Sequence, residues 1–148
     1  DEGREAEAKV RLARIGFDRV RGAVVDIEQL LAERPDLAAR ATRLAAADLA
    51  SWRDDEPGLQ IVDVRNPAEQ DAGIVPGAMS IPLARLLDRH NELEPAAPTV
   101  VYCAGGYRSS TAASLLRSVG FTQVADLQGG YDAWAAARLA TVRPETVA

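Results

Sequence analysis

The sequence predicts an α/β domain, a central and mostly parallel sheet with helices on both faces, preceded by an N-terminal helical arm. Three observations predict it. From about residue 43, short apolar runs alternate with segments of helical periodicity, and Pro, Gly or Asn-Pro marks the joins. Strands alternating with helices at this spacing imply parallel pairing through right-handed crossovers. The length of 148 residues suits one domain, and a hydrophobic content of 47% is enough for a core without a disulfide staple. Aromatic residues are only 5%, so the core is expected to be aliphatic. The expected organisation is an arm or linker over residues 1–40, the α/β domain over 41–140 and a tail over 141–148.

The elements follow in order. Residues 1–14 read as a short amphipathic helix, acidic at its start and basic at its end as the helix dipole prefers, with Gly16 as its stop. Residues 26–34 read as a second helix. Asp26 can cap it, Gln29 stands where a capping box wants Glu or Gln, and Pro35 ends it. Ala46 to Arg53 is a short helix, and Leu59 to Val64 a buried strand. Asn66-Pro67 leads into a helical turn from Ala68 to Ala72, and Val75-Pro76-Gly77 is a turn. Ala78 to Ile81 is a strand closed by Pro82. Leu83 to Arg89 is a helix with Leu83, Leu86 and Leu87 on one side, followed by a loop holding Pro95 and Pro98. Thr99 to Cys103 is the clearest strand. Ser109 to Val119 is a helix with Ala112, Leu115, Leu116 and Val119 at helical spacing, capped by Gly120. Val124 to Leu127 is a short strand, and Gly129-Gly130 breaks the chain before a last helix through Ala137.

Charge and cysteine usage narrow the function classes. A net charge of −5 argues against a nucleic-acid footprint, which needs a basic face. The single cysteine allows no intrachain disulfide, which suits a reducing compartment, expected to be the cytoplasm. No apolar run approaches the roughly 20 residues that span a bilayer, and no signal peptide is visible. The chain opens at Asp1 rather than Met, which fits a piece cut from a longer polypeptide or a processed chain.

The chemistry lies in Val101-Tyr-Cys103-Ala104-Gly105-Gly106-Tyr107-Arg108-Ser109-Ser110. A cysteine ends a buried strand, a glycine-bearing loop follows, and an arginine and serines open a helix. Ligands of such folds bind beyond the carboxyl ends of the strands, where Cys103 stands. The thiolate is the nucleophilic form of cysteine, and it is favoured where loop N–H groups and a helix N-terminus point at the sulfur. Gly105 and Gly106 permit the backbone turns that such a nest needs. Arg108 supplies a permanent positive charge that can hold an anionic donor or stiffen the loop. Ser109 or Ser110 can cap the following helix, and a hydroxyl near the sulfur can stabilise negative charge. A lone cysteine is ordinarily a small buried hydrophobe, and two glycines alone are only a turn. The combination points to a reactive thiol.

The stretch from about Arg43 to Ala137 resembles the rhodanese family. Cys103-Ala-Gly-Gly-Tyr-Arg108-Ser109 is similar to that family's active loop, with four residues between cysteine and arginine. Asp63-Val-Arg65 with Asn66-Pro67 and Glu69, Pro76-Gly77-Ala78 with Ile81-Pro82, and Leu127-Gln-Gly129-Gly130 with Trp134 resemble its other signatures, in order. The resemblance implies a rhodanese-like fold and a sulfurtransferase that carries sulfane sulfur as a persulfide on Cys103. Residues 104–108 would cradle that sulfur, with Arg108 shaping the loop. It implies a small anionic donor, such as thiosulfate or a low-molecular-weight persulfide, and a cyanide, sulfite or thiol acceptor. No cofactor beyond the covalent persulfide is implied. Asp63, Arg65 and Glu69 would form a supporting hydrogen-bonded ion network. Where the family often has a histidine before the Pro-Gly-Ala turn, this sequence has Ile74-Val75, which alters the rim. Arg11-Leu-Ala-Arg-Ile-Gly-Phe-Asp18 resembles the junction in proteins that join a metallo-β-lactamase-fold hydrolase or persulfide dioxygenase to a rhodanese part. A partner domain of that kind is then expected in the full-length protein, with any metal site there.

Several residues have plainer readings. His90, the sole histidine, cannot build a His-rich metal site and is expected on an exposed helix end. Trp52 and Trp134 are expected to pack in the core or to be partly buried rather than to stack a ligand. Tyr107 lines the mouth of the loop or faces solvent. Arg53-Asp-Asp-Glu56 reads as a solvated turn, and the arm's mixed charges as a wet helix face. Two other functions stay open. One is a sulfur relay serving a fused or bound partner. The other is a Cys-based phosphatase or arsenate reductase, whose loop carries an extra residue to fit a tetrahedral oxyanion.

Overall fold

A computed structural model describes residues 3–38 and 41–143. The chain divides into two compact units, Asp1–Arg40 and Ala41–Ala148.

In the first unit, helix α1 spans Glu5–Ala13. Glu7 accepts from Arg4 at 3.2 Å and forms an ion pair with Arg11 at 2.6 Å, pairs that suit one helix face. Gly16 follows at φ 90°, a conformation that glycine adopts without strain. Helix α2 spans Ile27–Glu33, and the Asp26 carboxylate accepts from the Gln29 N–H at 2.9 Å. The Gln29 amide donates forward to Glu33 at 2.8 Å, so only half of the expected capping box forms. Pro35 opens a 3-10 turn, Pro35–Leu37, rather than simply ending the helix. No residue of α1 or α2 is buried, and Ile15, Phe17, Val25 and Ile27 are exposed.

The second unit is built on a five-stranded parallel sheet in the order β1-β5-β4-β2-β3. The strands are β1 (Thr42–Leu44), β2 (Gln60–Asp63), β3 (Ala78–Ser80), β4 (Thr99–Tyr102) and β5 (Val124–Leu127). The helices are α3 (Ala46–Asp55), α4 (Pro67–Gln70), α5 (Leu86–Arg89), α6 (Tyr107–Ser118) and α7 (Gly130–Ala136). Successive strand residues point to opposite faces. Val62 and Val101 therefore pack with Leu86 of α5 and Ala112, Ala113 and Leu116 of α6. Their neighbours Ile61 and Val100 pack with Leu49 of α3 and Trp134 of α7 on the other side. Burial on both faces explains why consecutive residues at the centres of β2 and β4, Ile61-Val62 and Val100-Val101, are all apolar. β4 lies between β2 and β5, so its carboxyl end opens at the middle of the sheet.

Several expectations need correction. β1 was not foreseen, because Thr42–Leu44 is a three-residue edge strand with one polar and one charged residue. It pairs with β5 from Thr42↔Ala125 to Leu44↔Leu127. The helix expected over Leu83 to Arg89 is a 3-10 turn, Leu83–Arg85, followed by α5. Leu86 is buried there while Leu87 is exposed, because the tighter first turn rotates the apolar stripe. Arg53, Asp54 and Asp55 are the end of α3 rather than a turn, with the Arg53 guanidinium 5.9 Å from the Trp134 ring. His90 is half-buried and opens a 3-10 turn, its Nδ1 2.7 Å from the Leu87 carbonyl. Trp134 is buried in the core, as expected, and its indole N–H donates to the Ala140 carbonyl at 2.9 Å. Of the tail expected over 141–148, residues 144–148 lie outside the described residues. Val142 exchanges two backbone hydrogen bonds with Ile74, of 2.8 and 3.0 Å, in an antiparallel bridge.

Candidate active site

The site begins where β4 ends. All four β4 residues are buried, and Cys103, one step beyond, is only 1% exposed. The chain then turns back over the sulfur through Ala104, Gly105 and Gly106. Gly106 sits at φ 92° and its N–H donates to Cys103 Sγ at 3.2 Å. A Cβ there would lie 3.2 Å from the Gly129 nitrogen and 3.6 Å from the Leu127 carbonyl oxygen. Glycine is thus required twice over, by dihedral and by space. α6 starts at Tyr107, two residues earlier than the sequence suggests, so its N-terminus faces the thiol.

Ser109 and Ser110 do not cap that helix. Because it starts at Tyr107, both lie within its first turn. The buried Ser109 hydroxyl donates to the Gly106 carbonyl at 3.1 Å and accepts from the Cys103 thiol at 3.7 Å. Ser110 donates to the Tyr107 carbonyl at 2.8 Å. Tyr107 itself is 89% exposed.

The expected supporting residues come together in one chain of contacts. Arg65 is 2% exposed, and its guanidinium donates to both oxygens of the buried Asp63 carboxylate, at 2.6 and 3.0 Å. It also donates to the carbonyls of Glu69, at 3.0 Å, and Gly73, at 2.8 Å. Its plane lies 4.1 Å from the Tyr131 ring and 5.6 Å from the Tyr102 ring, which are stacked. Burial, and then the charge of Asp63, push the Tyr102 phenol above its usual range, and its oxygen accepts from the Val75 N–H at 3.1 Å. Arg65 thereby fixes the backbone of α4. Glu69, on α4, turns its carboxylate the other way and accepts two hydrogen bonds from Arg108, at 2.6 and 2.7 Å. It also accepts from the Asn66 N–H at 3.0 Å. The Arg108 hydrogen bonds hold the Glu69 carboxyl down at about 2, and Glu69 in turn raises Arg108. The Arg108 guanidinium thus ties the first turn of α6 to α4 by two charge-assisted hydrogen bonds.

Three contributors were not apparent from the sequence. The Tyr131 N–H donates to the Cys103 carbonyl at 2.7 Å and the Asp132 N–H to the Ala104 carbonyl at 3.1 Å. The first turn of α7 thus holds the start of the loop. Gly130, at φ 59°, permits this, since a Cβ there would run into both of those carbonyls. Gly129-Gly130 reads in the sequence as a chain break and, with Leu127 and Trp134, as part of the family resemblance, but its contact with the loop is made in space and leaves no local pattern. Among the described residues no group of three or more His, Cys, Asp or Glu side chains could hold a metal ion, and no helix is long and apolar enough to cross a membrane.

Comparison with known proteins places this arrangement. The family model described as a rhodanese-like domain matches residues 45–137. A protein named sulfurtransferase from Allochromatium vinosum is 36% identical over 91 residues, 62% of this chain and 85% of that one. The Bacillus subtilis protein YqhL is 41% identical over 75 residues, and the match covers 51% of this chain and 60% of that protein's length. The solution structure of a rhodanese-like domain from Anabaena aligns with a TM-score of 0.65 at 36% identity, covering 74% of this chain and 86% of that one.

Proposed function

The chain belongs to the rhodanese-like domain family, and from that premise we propose that it transfers sulfane sulfur through a persulfide on Cys103. One observation carries the reading: the Cys103 sulfur sits at the carboxyl end of the central strand with the Gly106 N–H 3.2 Å away. A thiolate in that position attacks the outer sulfur of a donor. With thiosulfate, the Sγ–S bond forms, the donor S–S bond breaks, and the electron pair leaves with sulfite. With a low-molecular-weight persulfide, the leaving thiolate takes the proton of the sulfur transferred. The cargo stays on Cys103 as a persulfide, cradled by the backbone of residues 104–108. A nucleophile such as cyanide, sulfite or a thiol then attacks the outer sulfur and restores the Cys103 thiolate.

The neighbouring groups suit this cycle. Ser109 can turn its hydroxyl from the Gly106 carbonyl to the sulfur anion, a rotation that needs no backbone movement. Asp63, Arg65 and Glu69 act as buttresses, with Arg65 and Glu69 occupied by protein partners. Four residues separate Cys103 from Arg108, a tighter loop than an oxyanion-binding phosphatase nest calls for. A lone thiol suits a reducing compartment such as the cytoplasm. A relay that passes sulfur to a fused or bound partner, a metallo-β-lactamase-fold hydrolase among them, uses the same Cys103 chemistry and differs only in acceptor.

The test is to incubate the protein with thiosulfate, and separately with glutathione persulfide, and to read the intact mass before and after cyanide. One added sulfur on the wild type, absent from Cys103→Ser and released as thiocyanate, is the expected result. Failure of both donors to add sulfur refutes the proposal. Loading without turnover by small acceptors favours the relay.

A further inference from the structure

The charge facing an incoming donor at Cys103 is unbalanced. The loop's one cation, Arg108, is held mainly by its two hydrogen bonds to Glu69 and acts only secondarily on Cys103. Arg65, beneath the site, is buried and engaged by Asp63. The rim contributed by α7 carries Asp132. Its N–H is fixed on the Ala104 carbonyl at 3.1 Å, and a carboxylate oxygen lies 3.9 Å from where a Cβ on Gly105 would stand. Asp132 is exposed, and among the described residues it joins no ion pair. Among the described residues, the mouth of the loop thus carries an unpaired carboxylate and a cation already held by two hydrogen bonds.

We propose that Asp132 is a specificity-determining residue that selects sulfur donors by charge, disfavouring dianions and favouring persulfides whose carbon skeleton is neutral or cationic. The inference rests on the sulfur-transfer reading above and goes further by naming the class of donor. Thiosulfate brings two negative charges toward a thiolate beside a third negative group. A neutral or cationic persulfide delivers the same sulfur without that repulsion. A unit charge on a water-lined rim alters the approach of another unit charge about threefold, and of a dianion about tenfold. Added salt narrows the discrimination, because the rim is exposed.

The experiment compares the wild type with Asp132→Asn and Asp132→Ser, all checked for an unchanged melting transition. Loading of Cys103 from thiosulfate and from cysteamine persulfide is timed by intact mass. Alkylation by iodoacetate and by iodoacetamide is timed on the same samples, which reads the charge at the mouth independently of sulfur transfer. In both variants the thiosulfate-to-cysteamine-persulfide rate ratio is expected to rise about tenfold, and the iodoacetate-to-iodoacetamide ratio about threefold. Asp132→Glu is expected to keep the wild-type ratios. Ratios within twofold of wild type overturn the role of Asp132 and leave the persulfide reading standing. Normal alkylation with no sulfur loaded from either donor overturns the persulfide reading, and the donor preference with it.

Discussion

At the scale of single residues, the buried and half-buried carboxylates respond to pH in opposite directions. Glu69 is held at about 2 by Arg108 against its usual 4.5, so its ionised form is favoured by folding. A depressed carboxylate contributes stability that is present above about 4.5 and is lost as pH falls toward about 2. The pair is a third exposed, so screening reduces the contribution to about 1 kcal/mol. Asp126 is the converse. It is 1% exposed, and among the described residues its oxygens accept no hydrogen bond and its one ion-pair contact is with the exposed Arg43, at 3.6 Å. Burial raises it, so its charge is a cost to the folded state that is relieved as pH falls. Denaturant titrations across pH 2 to 6 test both signs. Glu69→Gln is expected to lose the acid-side decline due to this pair, and Asp126→Asn to be at least as stable as wild type near neutral pH. A Glu69→Gln variant with the full wild-type acid decline would remove Glu69 from the account.

At the scale of elements, the site is a junction of β4, α6, α4 and α7, and the weakest tolerance is at Gly130. A methyl group there meets the carbonyls of Cys103 and Ala104 and sits on a left-handed dihedral. Gly130→Ala is therefore expected to destabilise by about 2 kcal/mol or more. It should also slow Cys103 loading, because the two hydrogen bonds from α7 hold the loop. Thermal melts and loading rates check this, and a melt unchanged from wild type would contradict it. Legibility in the sequence follows the same division. β2 and β4 could be read because burial on both faces leaves adjacent apolar residues, Ile61-Val62 and Val100-Val101, at their centres, and β5 because Val124, Ala125 and Leu127 surround its one charge. The active loop could be read because Cys103 to Ser109 is contiguous, and Asp63, Arg65 and Glu69 lie close together in the chain. β1 could not, since an edge strand of three residues carries no periodicity. The start of α6 at Tyr107 could not either, because the glycine cap and the loop share residues. Tyr131 and Asp132 act through backbone N–H groups, which any side chain would supply, so no residue type announced them.

At the scale of the whole molecule, protection from exchange should follow the sheet order. β4 is central and buried on both faces, β1 and β3 are edges, and α1 and α2 bury no residue. Native-state hydrogen exchange is expected to find the slowest amides in β4 and its partner β2, opening only with global unfolding. The amides of α1 should exchange close to their unprotected rates. Equal protection in α1 and β4 would refute that hierarchy. A last consequence follows from the chain's having a single cysteine, held 1% exposed. No second thiol waits in the chain to resolve a sulfur-laden Cys103 into a disulfide. On the persulfide reading proposed above, every load on this chain passes through that one sulfur, and a visiting acceptor collects it before the same sulfur is loaded afresh. Turnover then depends on how often visitors arrive.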